Sequence, residues 1–396
     1  LQEHDPVILV HLRELNSLIG LVMLSRIIES QLLEQFFKGK IIHLFGARQV
    51  GKSTLLRQLS SKIDIPILHL NGDNIEVQQQ FEVASQVKLG EIVKSHEVIF
   101  LDEAQRIKDI GISLKILIDN FPDKQILATG SSAFELANEI VEPLTGRKFD
   151  FMLFPFSYQE LVQHHGQFEE SRYFEQRIIC GSYPEVVAGN DDKKEVLLRL
   201  ADAFLYKDIF ILENIKKPMV VQKLLQALAL QVGNEVSLTE VGRLIQADYK
   251  TVERYIDLLE QAYIIFRLPS LSRNARNEIM KSRKIYFFDN GLRNAIIRNF
   301  NPLDARNDVG ALWENYCISE RYKYTSYHRM WMNRFFWRTH AQQEIDYIEE
   351  YDGVLHAYEF KWNPRKKSKL PKAFSDNYPG HEYKVITPDN YLEFVS

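Results

Sequence analysis

The sequence predicts an α/β protein of several domains: a P-loop core on a parallel sheet, a helical connection, a winged helix-turn-helix and an α/β nuclease-like end. Three observations predict this. Gly46 to Ser53 fits G-x-x-x-x-G-K-[ST] at every fixed position, between an apolar run and a helical one. A second apolar run, Val98 to Leu101, ends in the carboxylates of Asp102 and Glu103. Near the C-terminus, Asp352-Gly353 joins two alternating segments that carry Asp346, Glu359 and Lys361.

The chain has 396 residues, 45% of them hydrophobic, enough for two or three cored domains. Its net charge of −4 neither demands nor excludes a polyanionic partner, so any nucleic-acid surface has to be local. Cys180 and Cys317 are too few for a disulfide framework or a zinc site, which predicts a cytoplasmic protein with both thiols in cores. No apolar run is long enough to span a membrane. The chain begins with Leu1, and Met23 opens a helical pattern reaching Phe37. Met23 is therefore expected as the natural start, with residues 1–22 an N-terminal extension.

The first domain is expected over 23–152. Ile41 to Phe45 reads as a strand buried on both faces. The loop Gly46-Ala47-Arg48-Gln49-Val50-Gly51-Lys52-Ser53-Thr54 follows it. Its glycines let successive N–H groups point into one hollow, and the next helix adds its positive end. Lys52 is expected on the β/γ-phosphates of ATP and Ser53 on Mg²⁺. Ile65 to Leu70 reads as a second strand, closed by Asn71-Gly72-Asp73-Asn74. Asp102 is expected to hold Mg²⁺ and Glu103 to polarise the attacking water. Gln125 to Ser132 reads as a strand between the other two, bringing Thr129 or Ser131 near the γ-phosphate. Arg147, after a Thr-Gly turn, is a candidate for stabilising transition-state charge in cis or in trans.

Residues 153–235 read as a helical connection without chemistry of its own. Residues 236–300 follow the pattern of a winged helix. Ser237-Leu238-Thr239-Glu240 is a capping box, and Asp248 caps a second helix with the apolar stripe Val252, Tyr255, Ile256 and Leu259. Ile264 to Phe266 and Ile285 to Phe288 are the expected wing strands. Arg273, Arg276, Lys281, Arg283 and Lys284 stand between or beside them against Glu278, a local surplus suited to phosphates. The expected reading helix mixes Lys250 and Arg254 with Glu253, Asp257 and Glu260.

Residues 301–396 carry the second constellation. If Tyr351 and Val354 close the hairpin, Asp346 faces Glu359 and Glu344 faces Lys361 on one side of the sheet. Two carboxylates and a lysine so arranged are what a PD-(D/E)xK nuclease site needs for a metal ion and its water. Glu314 could add a helical carboxylate to the metal set of Asp346 and Glu359. Arg365, Lys366, Lys367, Lys369 and Lys372 lie beside this hairpin and suit a nucleic-acid backbone.

Together these stretches resemble a large group of prokaryotic AAA-class ATPases with a C-terminal domain of unknown function. The resemblance rests on the P-loop, Leu101-Asp102-Glu103-Ala104-Gln105, Thr129-Gly130-Ser131-Ser132, Leu144-Thr145-Gly146-Arg147 and Pro155-Phe156-Ser157. Further along it rests on Gly181-Ser182-Tyr183-Pro184, Asp289-Asn290-Gly291-Leu292, Glu344-Ile345-Asp346-Tyr347 and Glu359-Phe360-Lys361-Trp362. It implies an ATPase core of AAA/ASCE type, a winged helix and a nuclease-like C-terminal fold. The expected task is Mg²⁺-dependent ATP hydrolysis coupled to DNA or another nucleic acid, in a possible homo-oligomer and without a membrane. The alternative is a nucleotide-controlled switch whose C-terminal module is an inactive protein-docking surface.

Overall fold

The computed structural model describes residues 24–82, 85–130, 144–189, 191–203, 218–271, 283–339, 341–366 and 368–396. The expectations placed on residues 1–23, Ser131, Arg273, Arg276, Glu278, Lys281 and Lys367 lie outside the described residues.

The apolar runs of the first domain become strands β1 (Ile41–Phe45), β2 (Ile67–Asn71), β3 (Val98–Asp102) and β4 (Gln125–Gly130). A fifth, β5 (Lys148–Met152), joins them in a parallel sheet of order β2-β3-β4-β1-β5. The expected insertion of one strand between those of the P-loop and of Asp102 is therefore present. β5 was not anticipated; it lies at the edge of the sheet beside β1, with a half-buried strand pattern. One face of the sheet, with Ile99, Leu101, Ile126 and Ala128, packs on helices Ile75–Glu82, Gln86–Val93 and Ile110–Asn120. The other face, with Ile42, Leu44, Phe100 and Leu127, belongs to an apolar core that continues through the remainder of the chain.

Short helices from Tyr158 to Ala203 follow, led by a Ser157–Glu160 capping box. Helices Pro218–Leu230, Leu238–Ile245 and Tyr249–Gln261 accompany an antiparallel sheet of order β6-β8-β7, and Tyr249–Gln261 packs against β7. The strands of the sheet are β6 (Glu235–Val236), β7 (Ile265–Pro269) and β8 (Arg283–Phe287). Asp248 caps its helix as expected, accepting from the Thr251 N–H, and Ser237 accepts from the Glu240 N–H, the forward half of the expected capping box.

The last section opens with the long helix Val309–Tyr327, of which Leu312, Trp313, Tyr316 and Cys317 are buried. Strands β9 (Asn333–Arg338), β10 (Glu344–Tyr351), β11 (Val354–Phe360) and β12 (Glu382–Ile386) form a sheet of order β12-β11-β10-β9. β11 and β12 run parallel, joined through the helix Lys372–Asn377. Asp352 and Gly353 both have positive φ, 52° and 76°, as a tight hairpin turn requires. Tyr351 pairs with Val354 and Tyr347 with Tyr358, the register expected from the turn. Both cysteines are buried and free, and no helix among the described residues is long and apolar enough to cross a membrane.

Candidate nucleotide site and a carboxylate cluster

The P-loop leaves the C-terminal end of β1 and enters the helix Lys52–Ser60. Its path needs glycine at both ends. Gly46 has φ of 150°, and a Cβ there would overlap the carbonyl of Leu153. Gly51, with φ of 99°, sits against the side chains of Arg26 and Pro184. The Lys52 ammonium is buried and donates to the carbonyls of Gly46 at 2.8 Å and Ala47 at 2.9 Å. Ser53 and Thr54 occupy the first turn of that helix.

The neighbouring strands bring Asp102, Glu103 and Thr129 together. The Thr129 hydroxyl donates to Asp102 Oδ1, and the Glu103 N–H lies 3.1 Å from the same oxygen and 3.2 Å from Thr129 Oγ1. Thr129 is thus fastened to Asp102 and positions that carboxylate. Glu103 has left-handed backbone, φ 50°, and its carboxylate accepts from Gln105 Nε2. Gly72, at the end of β2, donates to the Asp102 carbonyl at 2.8 Å, and a Cβ on it would overlap the Glu103 carbonyl. The turn after β2 therefore braces the carboxylate pair.

Arg147 requires a correction. It precedes β5, and its carbonyl accepts from the N–H of Ile41, at the start of β1. The P-loop leaves from the other end of β1, about 15 Å away at some 3.3 Å per strand residue. Arg147 instead pairs with Asp119 on the surface at 2.6 Å, and so cannot act in its own P-loop site.

Arg26 was missed. It is buried, and its guanidinium donates to Glu160 at 2.8 Å, to the Val50 carbonyl at 2.9 Å, to the Phe154 carbonyl at 2.6 Å and to Tyr327 Oη at 3.1 Å. It joins the P-loop to the end of the long C-terminal helix. These partners lie between 24 and 301 residues away in sequence, so no local pattern announced them. Two stretches read only as motifs also meet. The Asp289 carboxylate accepts from the N–H groups of Ser182 at 2.7 Å and Leu292 at 3.0 Å.

The helix Tyr249–Gln261 sorts its charges by face. Asp257 pairs with Arg267 at 2.6 Å, Glu260 accepts from Arg267 Nε at 2.6 Å, and Glu253 pairs with Arg283 at 3.3 Å. Its exposed positions are Tyr249, Lys250, Arg254 and Gln261, with Thr239, Glu240, Arg243 and Leu244 exposed on the preceding helix. The mixture of acids and bases is resolved by the strands of β7 and β8, which take up the acids. Arg283 is consequently an acid's partner as well as part of the basic surplus.

In the C-terminal sheet, Asp346 accepts from the Phe360 N–H at 2.9 Å, and Lys361 pairs with Glu359 at 2.6 Å. The expected Glu344–Lys361 pairing is replaced. Glu344 pairs with Lys284 of β8 at 2.5 Å and stands 3.8 Å from Arg338. The buried Lys284 ammonium also lies 3.1 Å from Glu314 and 4.0 Å from Asp346. Glu314 accepts from Tyr286 Oη at 2.6 Å as well. Burial, with Asp346 adding to it, pushes the Glu314 carboxyl up to about 7 against the pull of Lys284. Burial also raises Asp346, and burial with the Asp346 charge raises Glu359. Burial pulls Lys284 down, but Glu314, Asp346 and Glu344 hold it above the usual lysine range. The expected metal set of Asp346, Glu359 and Glu314 is corrected to this extent: among the described residues no three His, Cys, Asp or Glu side chains are gathered to hold a metal ion. An ammonium stands among those carboxylates.

Residues 38–162, which contain the loop and both carboxylates, match the AAA domain family. Residues 171–303 and 309–394 match two further families of unknown function, DUF8612 and DUF4143. An uncharacterized protein of Haemophilus influenzae is 27% identical over 295 residues, 68% of this chain and 73% of its own length. Another, from Mycobacterium tuberculosis, is 24% identical over 340 residues, 84% of this chain and 72% of its own. A solved Walker-type ATPase of Pyrococcus abyssi is similar at 18% identity and a TM-score of 0.46, covering 69% of this chain and 96% of that one.

Proposed function

We propose that the AAA domain binds and hydrolyses Mg²⁺-ATP and that its nucleotide state governs a nucleic-acid-binding C-terminal half. The observation that carries the reading is the joint placement of the Lys52 ammonium at the P-loop and of Asp102, Glu103 and Thr129 on adjacent strands. The loop amides of Gly46 to Thr54 would receive the phosphates, with Lys52 on the β/γ oxygens. Ser53 and Asp102 would hold Mg²⁺, which supplies charge neutralisation on the phosphates. A hydroxyl beside a carboxylate fixed by Thr129 is an oxygen donor set suited to that hard cation. Glu103 would orient the attacking water. Ser131, next in sequence after β4, keeps its proposed role near the γ-phosphate.

The order helix, β6, helix, helix, β7, β8 with sheet order β6-β8-β7 supports a winged helix over 236–300. The basic exposed face of Lys250, Arg254 and Arg243 supports duplex DNA as its partner. Helix, three antiparallel strands, helix and a parallel fourth strand support a PD-(D/E)xK-like fold over 301–396. The test is ATP turnover with and without duplex DNA. Stimulation by DNA, abolished by Lys52→Ala and by Lys250→Ala/Arg254→Ala, is expected. DNA-indifferent turnover would detach nucleic acid from the function.

One observation favours the second reading, a switch with an inactive C-terminal module. The Lys284 ammonium stands among Glu314, Glu344 and Asp346.

A further inference from the structure

We propose that Lys284 is the resident cation of the C-terminal carboxylate cluster, occupying the place of a divalent metal and keeping a nuclease-like site catalytically silent. The inference rests on the PD-(D/E)xK-like reading of residues 301–396. Glu314 of the long helix and Glu344 and Asp346 of β10 each approach Lys284, and Glu359 of β11 pairs with Lys361 beside them, although no three of these carboxyls are gathered as metal ligands. Three cations meet them: Lys284, Lys361 and Arg338. Only Lys284 comes from outside the module. It projects from β8, its side chain is 1% exposed, and it reaches three of the four acids.

A buried ammonium is kept charged only by such partners, because removing a lone charge from water is very costly. The same acids would repel one another without it. A metal could not take the place of the ammonium while Lys284 holds the carboxylate oxygens of Glu314 and Glu344 that the metal would need. The Phe336 ring, 5.6 Å from the ammonium, closes one side of the position with apolar surface. A catalytic site of this class needs an ion between its carboxylates to carry the water and the phosphate. With Lys284 there, Asp346 and Glu359 lack that ion. Lys284 also fastens the sheet of β6 to β8 to the last domain, so the plug doubles as a clasp.

The test is a divalent-cation titration of the full chain, without nucleotide and in a Lys52→Ala background that weakens the other candidate Mg²⁺ site. Thermal unfolding is followed with Mn²⁺ and with Ca²⁺. The protein with Lys284 intact is expected to be indifferent to either ion at millimolar concentration and to leave plasmid DNA uncut with Mn²⁺. Lys284→Met keeps the volume and removes the charge. It is expected to unfold at lower temperature without metal and to recover by several degrees with Mn²⁺, by mass action on the folded state. Asp346→Asn added to it should abolish that recovery. Lys284→Gln, which keeps a donor for Glu344, serves if the methionine variant does not accumulate. A Mn²⁺ response or DNA cleavage with Lys284 intact, lost in Asp346→Asn, would overturn the inference and leave the nuclease-like reading standing. Indifference of both Lys284 variants would overturn the inference together with the reading that these carboxylates form a metal-type site.

Discussion

Single side chains decide the nucleotide chemistry. Lys52→Ala should abolish ATP binding in an equilibrium assay, since neutral amides alone do not balance the β/γ-phosphate charge. Glu103→Gln keeps the shape and should retain binding while turnover falls about 10²–10⁴-fold, the usual loss for a missing general base. Parental turnover in that variant would remove Glu103 from its role. These residues were legible because a P-loop declares itself locally, by spacing. Arg26, Lys284 and Thr129's bond to Asp102 were not, because each acts on partners that are distant in sequence. Asp308 belongs with them. Burial pushes its carboxyl up, but Arg306 at 2.8 Å and Arg293 at 2.6 Å hold it down at about 2. A group depressed in the fold contributes stability that is full above its unfolded value, near 3.8, and is lost as pH falls through about 2. Asp308→Asn should therefore destabilise the protein at pH 7, in urea unfolding, with the deficit shrinking between about pH 4 and pH 2. A deficit that ignores pH would mean that Asp308 acts through shape alone.

At the scale of elements, period and turn chemistry carried most of the prediction. The Asp352-Gly353 turn fixed the β10–β11 register because two positive φ angles leave the hairpin one closing pair. The register did not fix the ion pairs. Glu344 found Lys284 across a domain boundary, where the hairpin alone offered Lys361. In the helix Tyr249–Gln261, sequence could not say which acids face the sheet, so its basic outer face was hidden. Lys250→Ala/Arg254→Ala should weaken duplex binding across sequences and lower the slope of log affinity against log salt by about 2, one for each phosphate that is no longer neutralised. An unchanged slope, read by fluorescence anisotropy at several salt concentrations, would move the nucleic-acid surface elsewhere. The turns 181–184 and 289–292 are mutually required. Gly181 has φ of 67°, and a Cβ there would overlap the Asp289 carboxylate. Gly181→Ala should cost at least about 2 kcal/mol in strain and displaced hydrogen bonds. An unfolding midpoint equal to the parent's would show that this close approach is dispensable.

For the whole molecule, the sequence suggested a string of modules, and the packing makes a more continuous body. One apolar core runs from Ile42 and Leu44 of the P-loop sheet through Leu228, Val252 and Phe287 to Trp313 and Phe394. Such continuity is set by which faces meet, and no window of sequence contains it. The Arg26 guanidinium lies at the join, holding Val50 of the P-loop and Tyr327 of the last domain at once. This yields a prediction that separates a single cooperative body from loosely tethered domains. All four tryptophans, Trp313, Trp331, Trp337 and Trp362, lie after residue 301, so their fluorescence is carried by the last domain. None of them lies within the loop Gly46 to Thr54. If the chain unfolds as one unit, a non-hydrolysable ATP analogue should nonetheless raise the tryptophan-monitored midpoint, by about 2.7 kcal/mol at a hundredfold excess over Kd. Far-ultraviolet circular dichroism should give the same midpoint. Arg26→Met removes the guanidinium and leaves the Glu160 charge buried with only the N–H groups of Ile27 and Ser157 and the Ser157 hydroxyl, a loss of up to about 3–5 kcal/mol for a broken buried pair. In that variant the two probes should part, with the tryptophan signal no longer following the nucleotide. A tryptophan transition indifferent to nucleotide in the parent protein, beside a separate nucleotide-sensitive transition by circular dichroism, would mean that the shared core does not couple the two halves.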